Sequence, residues 1–457
     1  MTALLAVASL GCVSCSREPS PGPQPVEPEQ VASEPAGPDV LVLVIDDCGW
    51  EDLRPELTPT LANLGTGIGR RYTRFYASPT CSPSRYMLHF GRLPHRAFIG
   101  GALREGETTD IGARLGEPSI ANEIAKHGYT PAAFGKWHAT GSASVEPFVG
   151  PLAFGYATWR AGSPANLPMS GGHYDWERVD DGRVSRCRTY TTVAIRDALL
   201  EWWNATASPK LAMCSFIAPH EPFSDAIRSG LVPDGLELGS NQRGRYESAL
   251  AALDTAITQV LDSVDLERTV VLILSDNGTP LECRPPTRAE RDYKSTVFEG
   301  GVRVPFFAVG AGVVAGTDDS LVQIVDVPAT ALELAGGTPS PGALVDSISF
   351  AATLSGGESN REDAWVQIFR PNNGRMRNLK RNDWALIERD GTKLLQVDAA
   401  LGLVDLTSDP REKRLEFGLD PSDERVTSRM PRIESLLGED WRYPLFGPPT
   451  ESMPRER

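Results

Sequence analysis

Basic residues are in the minority in this sequence: 45 lysines and arginines face 60 aspartates and glutamates, for a net charge of -15 at pH 7. No lysine- or arginine-rich block interrupts that balance. A nucleic-acid partner needs a clustered positive surface to meet backbone phosphates, so none is expected. Cysteine is scarce, with 7 in 457 residues, which excludes a disulfide scaffold. No apolar run reaches the roughly 20 residues that span a membrane. What is present suits a folded α/β chain with a sizeable core, and at roughly 150 residues per domain one large and one small unit are expected.

The N-terminal stretch reads as a targeting device. Residues 3–13 are short and apolar, Gly11 precedes Cys12, and Arg17 to Pro38 is dense in Pro, Gly, Ser and Glu. The pattern resembles a bacterial lipoprotein export segment over 1–15 followed by an extended tether over 16–38. It predicts an exported protein, periplasmic or at the cell surface with a lipid anchor at Cys12, or alternatively secreted.

From residue 39 the texture becomes that of a fold. Val40 to Ile45 is a continuous apolar, β-branched run that stops at Asp46-Asp47, and Thr269 to Leu274 stops in the same way at Ser275-Asp276-Asn277-Gly278. Such runs predict parallel strands covered on both faces. Between them, Ser119 to Lys126 and Glu247 to Leu266 carry helical spacing. The fold class read from this alternation is α/β, with the larger unit over 39–350. In open α/β sheets ligands sit beyond the carboxyl ends of the strands, which places Asp46, Asp47, Asp276 and Asn277 in one shared site. Beyond residue 350, short alternating runs with Asp390-Gly391 as a hairpin signal predict a small antiparallel subdomain over 351–457.

Six ordered segments carry a family resemblance. Cys81-Ser82-Pro83-Ser84-Arg85 resembles the type I sulfatase signature, whose cysteine is oxidised to formylglycine. Asp46-Asp47-Cys48-Gly49-Trp50 and Ser275-Asp276-Asn277-Gly278 resemble that family's metal segments. Gly135-Lys136-Trp137-His138, Pro219-His220-Glu221-Pro222 and the run from Lys294 through Glu299-Gly300-Gly301-Val302-Arg303-Val304-Pro305 resemble its remaining site segments. Leu403 to Pro410 extends the likeness into the C-terminal subdomain. Two departures stand out: Leu88-His89-Phe90-Gly91 replaces the usual leucine-threonine-glycine, and Cys48 sits beside the metal aspartates.

The resemblance makes 39–350 the catalytic domain and implies an alkaline phosphatase-like mixed, mostly parallel sheet with a smaller antiparallel sheet behind it. It also implies a chemistry. Asp46, Asp47, Asp276 and Asn277 offer only hard oxygen ligands, joined by a hydroxyl on residue 81, and suit calcium better than magnesium, which demands near-ideal octahedral geometry. One hydroxyl of the hydrated aldehyde attacks sulfur, His220 with Lys294 protonates the departing alcohol, and His138 takes the proton of the second hydroxyl to expel sulfate. Arg85 and Lys136 neutralise and orient residue 81, and Lys136 and Lys294 lie near sulfate oxygens. The partners implied are a formylglycine-generating maturation enzyme and a sulfated small molecule or glycan.

Three functions compete at this point. A hydrolase of aryl or carbohydrate sulfates leads. A phosphonate or phosphate ester hydrolase on the same site, and a tethered binder of sulfated glycans whose residue 81 stays cysteine, are the alternatives. Specificity is expected from Gly141 to Asp181, where Trp159, Tyr174 and Trp176 are either sugar-stacking or core, and from Leu231 to Arg245. His89, His95, His127 and His173 have no motif around them, Cys48, Cys187, Cys214 and Cys283 read as structural, and a Cys187 to Cys283 disulfide is the one pairing considered.

Overall fold

The computed structural model describes residues 37–103, 112–141, 145–369 and 382–438. The export segment, Cys12 and nearly all of the tether lie outside the described residues. Among the described residues no helix is long and apolar enough to cross a membrane.

Ten strands form the large sheet: β1 (Asp39–Ile45), β2 (Arg70–Tyr76), β3 (Thr130–Lys136), β4 (Thr158–Ser163), β5 (Trp176–Asp180), β6 (Arg183–Cys187), β7 (Lys210–Ser215), β8 (Thr269–Ser275), β9 (Phe306–Gly310) and β10 (Gly316–Gln323). Their spatial order is β10-β2-β9-β8-β1-β7-β3-β4-β5-β6. The central strands β8, β1, β7 and β3 are parallel, and β9 runs antiparallel to both β8 and β2. Why β1 is apolar at every position follows from its place. Val40, Val42 and Val44 enter the core cluster on one face of the sheet, Leu41, Leu43 and Ile45 that on the other. Each such side chain, fully removed from water, contributes about 1.5–3 kcal/mol.

Both expected helices form. Ile120–Ala125 starts where Ser119 and Asn122 make a reciprocal capping box. Gln242–Leu261 begins five residues before the apolar periodicity does, because the Asn241 side chain accepts from Gly244 N at 2.9 Å.

Part of the expected specificity loop is sheet instead. β4 and β5 run through Gly141 to Asp181, and Trp159 and Trp176 are buried in the core, their indole N–H groups donating to Gly135 O and Thr189 O at 3.0 Å each. Of the three aromatics, Tyr174 alone stays partly exposed. The Cys187 to Cys283 pairing is also corrected: all five cysteines among the described residues are free. Cys283 is buried against Gln242 O, whereas Cys187 faces Thr189 O.

The second sheet is an antiparallel meander of β11 (Asp363–Phe369), β12 (Asn382–Glu388), β13 (Thr392–Val397), β14 (Ala400–Asp405) and β15 (Glu416–Leu419). Trp365 and Trp384 stack at 5.4 Å between ring centres, and Ile433 and Leu437 of the helix Met430–Leu437 join the same core cluster. Buried Lys393 on β13 ties this sheet to the catalytic half, lying 2.9 Å from Glu299 and 2.8 Å from Glu412, while Glu299 N donates to Glu412 Oε2 at 2.8 Å. Removing one member of such a buried cluster strands the opposite charge, at a cost of about 3–5 kcal/mol. Glu299 is the first residue of the Glu-Gly-Gly run, so the meander braces the segment that carries Lys294.

Candidate active site

Sheet register brings the two acidic segments together. Ile45 pairs with Ser275, so the next residues, Asp46 and Asp276, leave neighbouring strands side by side. Consecutive strand residues face opposite ways, but Asp47 adopts φ 75°, which turns the chain so that both of its carboxylates serve one centre. Lys136 ends β3, His138 follows with φ 54°, and His220 sits in the segment after β7. Cys81 and Arg85 come from the loop-to-helix junction after β2. They lie one turn apart on the helix Cys81–Phe90, which is buried at all ten positions.

The side chains of these segments meet. Lys136 Nζ donates to Asp46 Oδ2 at 2.5 Å, and Arg85 Nη2 lies 3.6 Å from the same oxygen. Arg85 also donates through Nε to Asp276 Oδ2 at 3.0 Å and through Nη1 to Lys136 O at 2.8 Å. Lys294 Nζ is 2.6 Å from Asp47 Oδ1, which also accepts from Asn277 Nδ2 at 2.8 Å. His220 Nε2 is 3.7 Å from Asp47 Oδ2, and Cys81 Sγ is 3.3 Å from His138 Nδ1. All ten residues singled out in the sequence therefore belong to one buried cluster.

Its electrostatics are set by burial and by close opposite charges. Burial works to raise Asp46, yet Lys136, His220, Arg85 and Lys294 hold its carboxyl well below the usual range. Burial would lower Lys294, but the Asp47 carboxylate outweighs it and keeps the ammonium charged. Burial, with Lys136 adding to it, takes His138 down to about 3, and burial takes His220 to about 3 against the pull of Asp47. Hydrogen bonds select the tautomers. His138 Nε2 donates to Leu103 O at 3.0 Å, leaving Nδ1 as the lone-pair nitrogen toward residue 81. His220 Nδ1 is engaged by Glu221 O at 2.7 Å, which turns Nε2 into the site.

The donor set fits a hard divalent cation. Asp46 Oδ1 and Asn277 Oδ1 are buried with no hydrogen-bond partner among the described residues, and ligand atoms of Asp46, Asp47 and His220 lie within 4.8 Å of one another. Asp46, Asp47 and Asp276 offset Arg85, Lys136 and Lys294 in formal charge, and burial with the neighbouring Asp46 pushes the Asp276 carboxyl up; a divalent ion would favour its ionised form and leave the cluster net positive, as an anionic ester requires.

The sulfatase family model matches residues 38–337. This chain belongs to the sulfatase family. Human N-acetylgalactosamine-6-sulfatase is 32% identical over 363 residues, 70% of this chain and 66% of its own length. Rat arylsulfatase G is 27% identical over 385 residues, 74% and 72% respectively. Two solved structures share the fold. That of Ps i-CgsB in complex with k-i-k-neocarrahexaose superposes with TM-score 0.73 at 19% identity, covering 91% of this chain and 95% of the other. That of BT4656 with its substrate D-glucosamine-2-N,6-O-disulfate gives 0.66 at 15%, covering 88% and 99%.

Several contacts that support this sulfatase site carried no sequence signal. Buried Asp52 accepts from Gly49 N at 3.0 Å, Tyr246 OH at 2.7 Å and Thr279 Oγ1 at 2.5 Å, and pairs with Arg243 at 3.0 Å. It pins the turn that presents Asp46 and Asp47. His173 Nε2 donates to His220 O at 2.9 Å and so fixes the histidine segment from behind. Ser82 Oγ accepts from Leu103 N at 3.0 Å and steadies the carbonyl that selects the His138 tautomer. Apart from the Gly49 to Asp52 bond, these contacts cross 21 to 227 positions of sequence, a separation that no local pattern encodes.

Proposed function

We propose that this chain is a sulfuric ester hydrolase of carbohydrate sulfates, with residue 81 matured to formylglycine and calcium held by Asp46, Asp47, Asp276 and Asn277. The observation that carries the reading is the convergence of Cys81, two lysines, an arginine and two oriented histidines on four oxygen donors. Formylglycine supplies an oxygen nucleophile where a thiol would stand, and calcium supplies Lewis acidity toward oxygen. The chain's own residues do the rest. His138 accepts a proton at Nδ1, because its other nitrogen is committed to Leu103 O. His220, whose first proton is held at Nδ1 by Glu221 O, must take up a second at Nε2 to pass it to the departing oxygen, a charge that the Asp47 carboxylate favours, and Lys136 and Lys294 neutralise the ester's oxygens. Arg85, buried between Asp46 and Asp276, lies against both carboxylates and aims them. The names of the mammalian relatives make N-acetylgalactosamine 6-sulfate the first substrate to try.

The deciding measurement is the mass of the tryptic peptide Phe75 to Arg85 from natively produced protein. Formylglycine makes it lighter than the cysteine form, since sulfur and two hydrogens are replaced by one oxygen. An unmodified thiol in fully active protein would end the reading. Metal binding has its own readout. Chelator-treated protein regains thermal stability on adding calcium, by about 2.7 kcal/mol at a hundredfold excess over Kd, and regains less with magnesium at equal concentration. No stabilisation by either ion would count against the metal site.

A further inference from the structure

Beside His220 the surface opens into a groove of about 390 Å³. Pro222 and Phe223, which follow His220-Glu221 in the chain, form part of its wall, with Tyr174 among the residues that complete it. The wall is held in place: Tyr174 OH donates to Asp225 O at 3.0 Å, and the preceding His173 bonds His220 O. The groove wall therefore follows directly in the chain from the residue proposed to protonate the departing alcohol, and in a carbohydrate sulfate that alcohol is the rest of the sugar.

Two guanidiniums stand in this groove, Arg228 and Arg245. Arg228 lies over the Tyr174 ring, 4.9 Å from its centre, which orients the fork without neutralising it. Neither arginine has a carboxylate partner among the described residues, in a chain of net charge -15. Neighbouring guanidiniums behave differently: Arg243 is paired with Asp52 and Glu247, and Arg54 with Glu247. Asp225, the one carboxylate lining the groove, accepts from Ile227 N at 2.9 Å. Planar forks of this kind bind carboxylate or sulfate through two parallel hydrogen bonds, and the Pro222-Phe223 wall offers an apolar face to a sugar ring.

We propose that the groove receives an anionic sugar unit, so that the substrate is a glycan sulfate bearing a second negative group, carboxylate or sulfate, beside the ester that is cleaved. This rests on the sulfatase reading of the adjacent site. It names the substrate class more narrowly than that reading does.

The test compares kcat/KM for N-acetylgalactosamine 6-sulfate, the same sugar with a second sulfate, and the same sugar linked to a uronic acid. The added anionic group is expected to raise kcat/KM at least about tenfold, mainly through KM, and the better of the two additions identifies the group recognised. Arg228→Ala and Arg245→Ala should each remove most of that gain, with Arg228→Lys retaining part of it. No gain from either addition, or a gain that survives both substitutions, overturns the proposal. Dissociation constants for the same three probes, measured on protein carrying Cys81→Ala, separate this outcome from failure of the sulfatase reading. If no probe is hydrolysed, a roughly tenfold tighter binding of a dianionic probe that Arg228→Ala abolishes still supports the groove, and equal binding of all three refutes it.

Discussion

Cys81→Ser is expected to stop multiple turnover of 4-nitrophenyl sulfate, lowering kcat by on the order of 10⁴- to 10⁶-fold while leaving the melting temperature within a degree or two. Serine matches cysteine closely in shape, and the site is buried and well packed, so the fold has no reason to respond. The loss is chemical. The proposed turnover needs two hydroxyls on one carbon, one to bond to sulfur and one whose deprotonation by His138 releases the product. A serine side chain has only the first. The variant should therefore gain one sulfo group per chain on incubation with substrate and then stall, a change that intact mass spectrometry reads directly. Wild-type turnover in this variant would show that residue 81 is not the reacting group.

His220→Gln carries the second largest expected effect, and its size should depend on the substrate. Release of a sugar hydroxyl demands a proton at the departing oxygen, whereas 4-nitrophenolate leaves readily without one. Loss of a positioned acid typically costs 10²- to 10⁴-fold. That full loss is expected for a carbohydrate sulfate, and a loss smaller by at least about tenfold for the nitrophenyl ester. With Nδ1–H spent on Glu221 O, Nε2 is the nitrogen that can take up a second proton and pass it on, and the Asp47 carboxylate beside it favours the charged ring. Glutamine keeps a polar group near Asp47 and limits rearrangement. Equal losses on both substrates would assign His220 to binding or to metal support instead of proton transfer.

Much of this was legible in the sequence because the signals are local. The runs Val40 to Ile45 and Thr269 to Leu274 read as doubly covered strands, and both are central in the sheet. Ser119 marked its helix start, and Asp390-Gly391 its hairpin, where Gly391 adopts φ 95°. The start of Gln242–Leu261 was missed, because the Asn241 cap lies outside the apolar periodicity. Trp159 and Trp176 were ambiguous for a physical reason: an aromatic that stacks on sugar and one that fills a core are the same residue type, and only neighbours in space distinguish them.

The division between sequence and structure follows from range. By itself the sequence determined the residue types of the site, their grouping in six motifs and the α/β class, since each depends on chemistry or on periodicity within a few positions. Tertiary structure alone decided that register sets Asp46 beside Asp276, that Leu103 and Glu221 carbonyls choose the histidine tautomers, and that Asp52 anchors the metal turn. It also left Arg228 and Arg245 without carboxylate partners among the described residues, in the groove walled by Pro222 and Phe223. Whether a charge is neutralised depends on which distant residues the fold brings within about 4 Å of it, and no stretch of sequence around the charge contains that information.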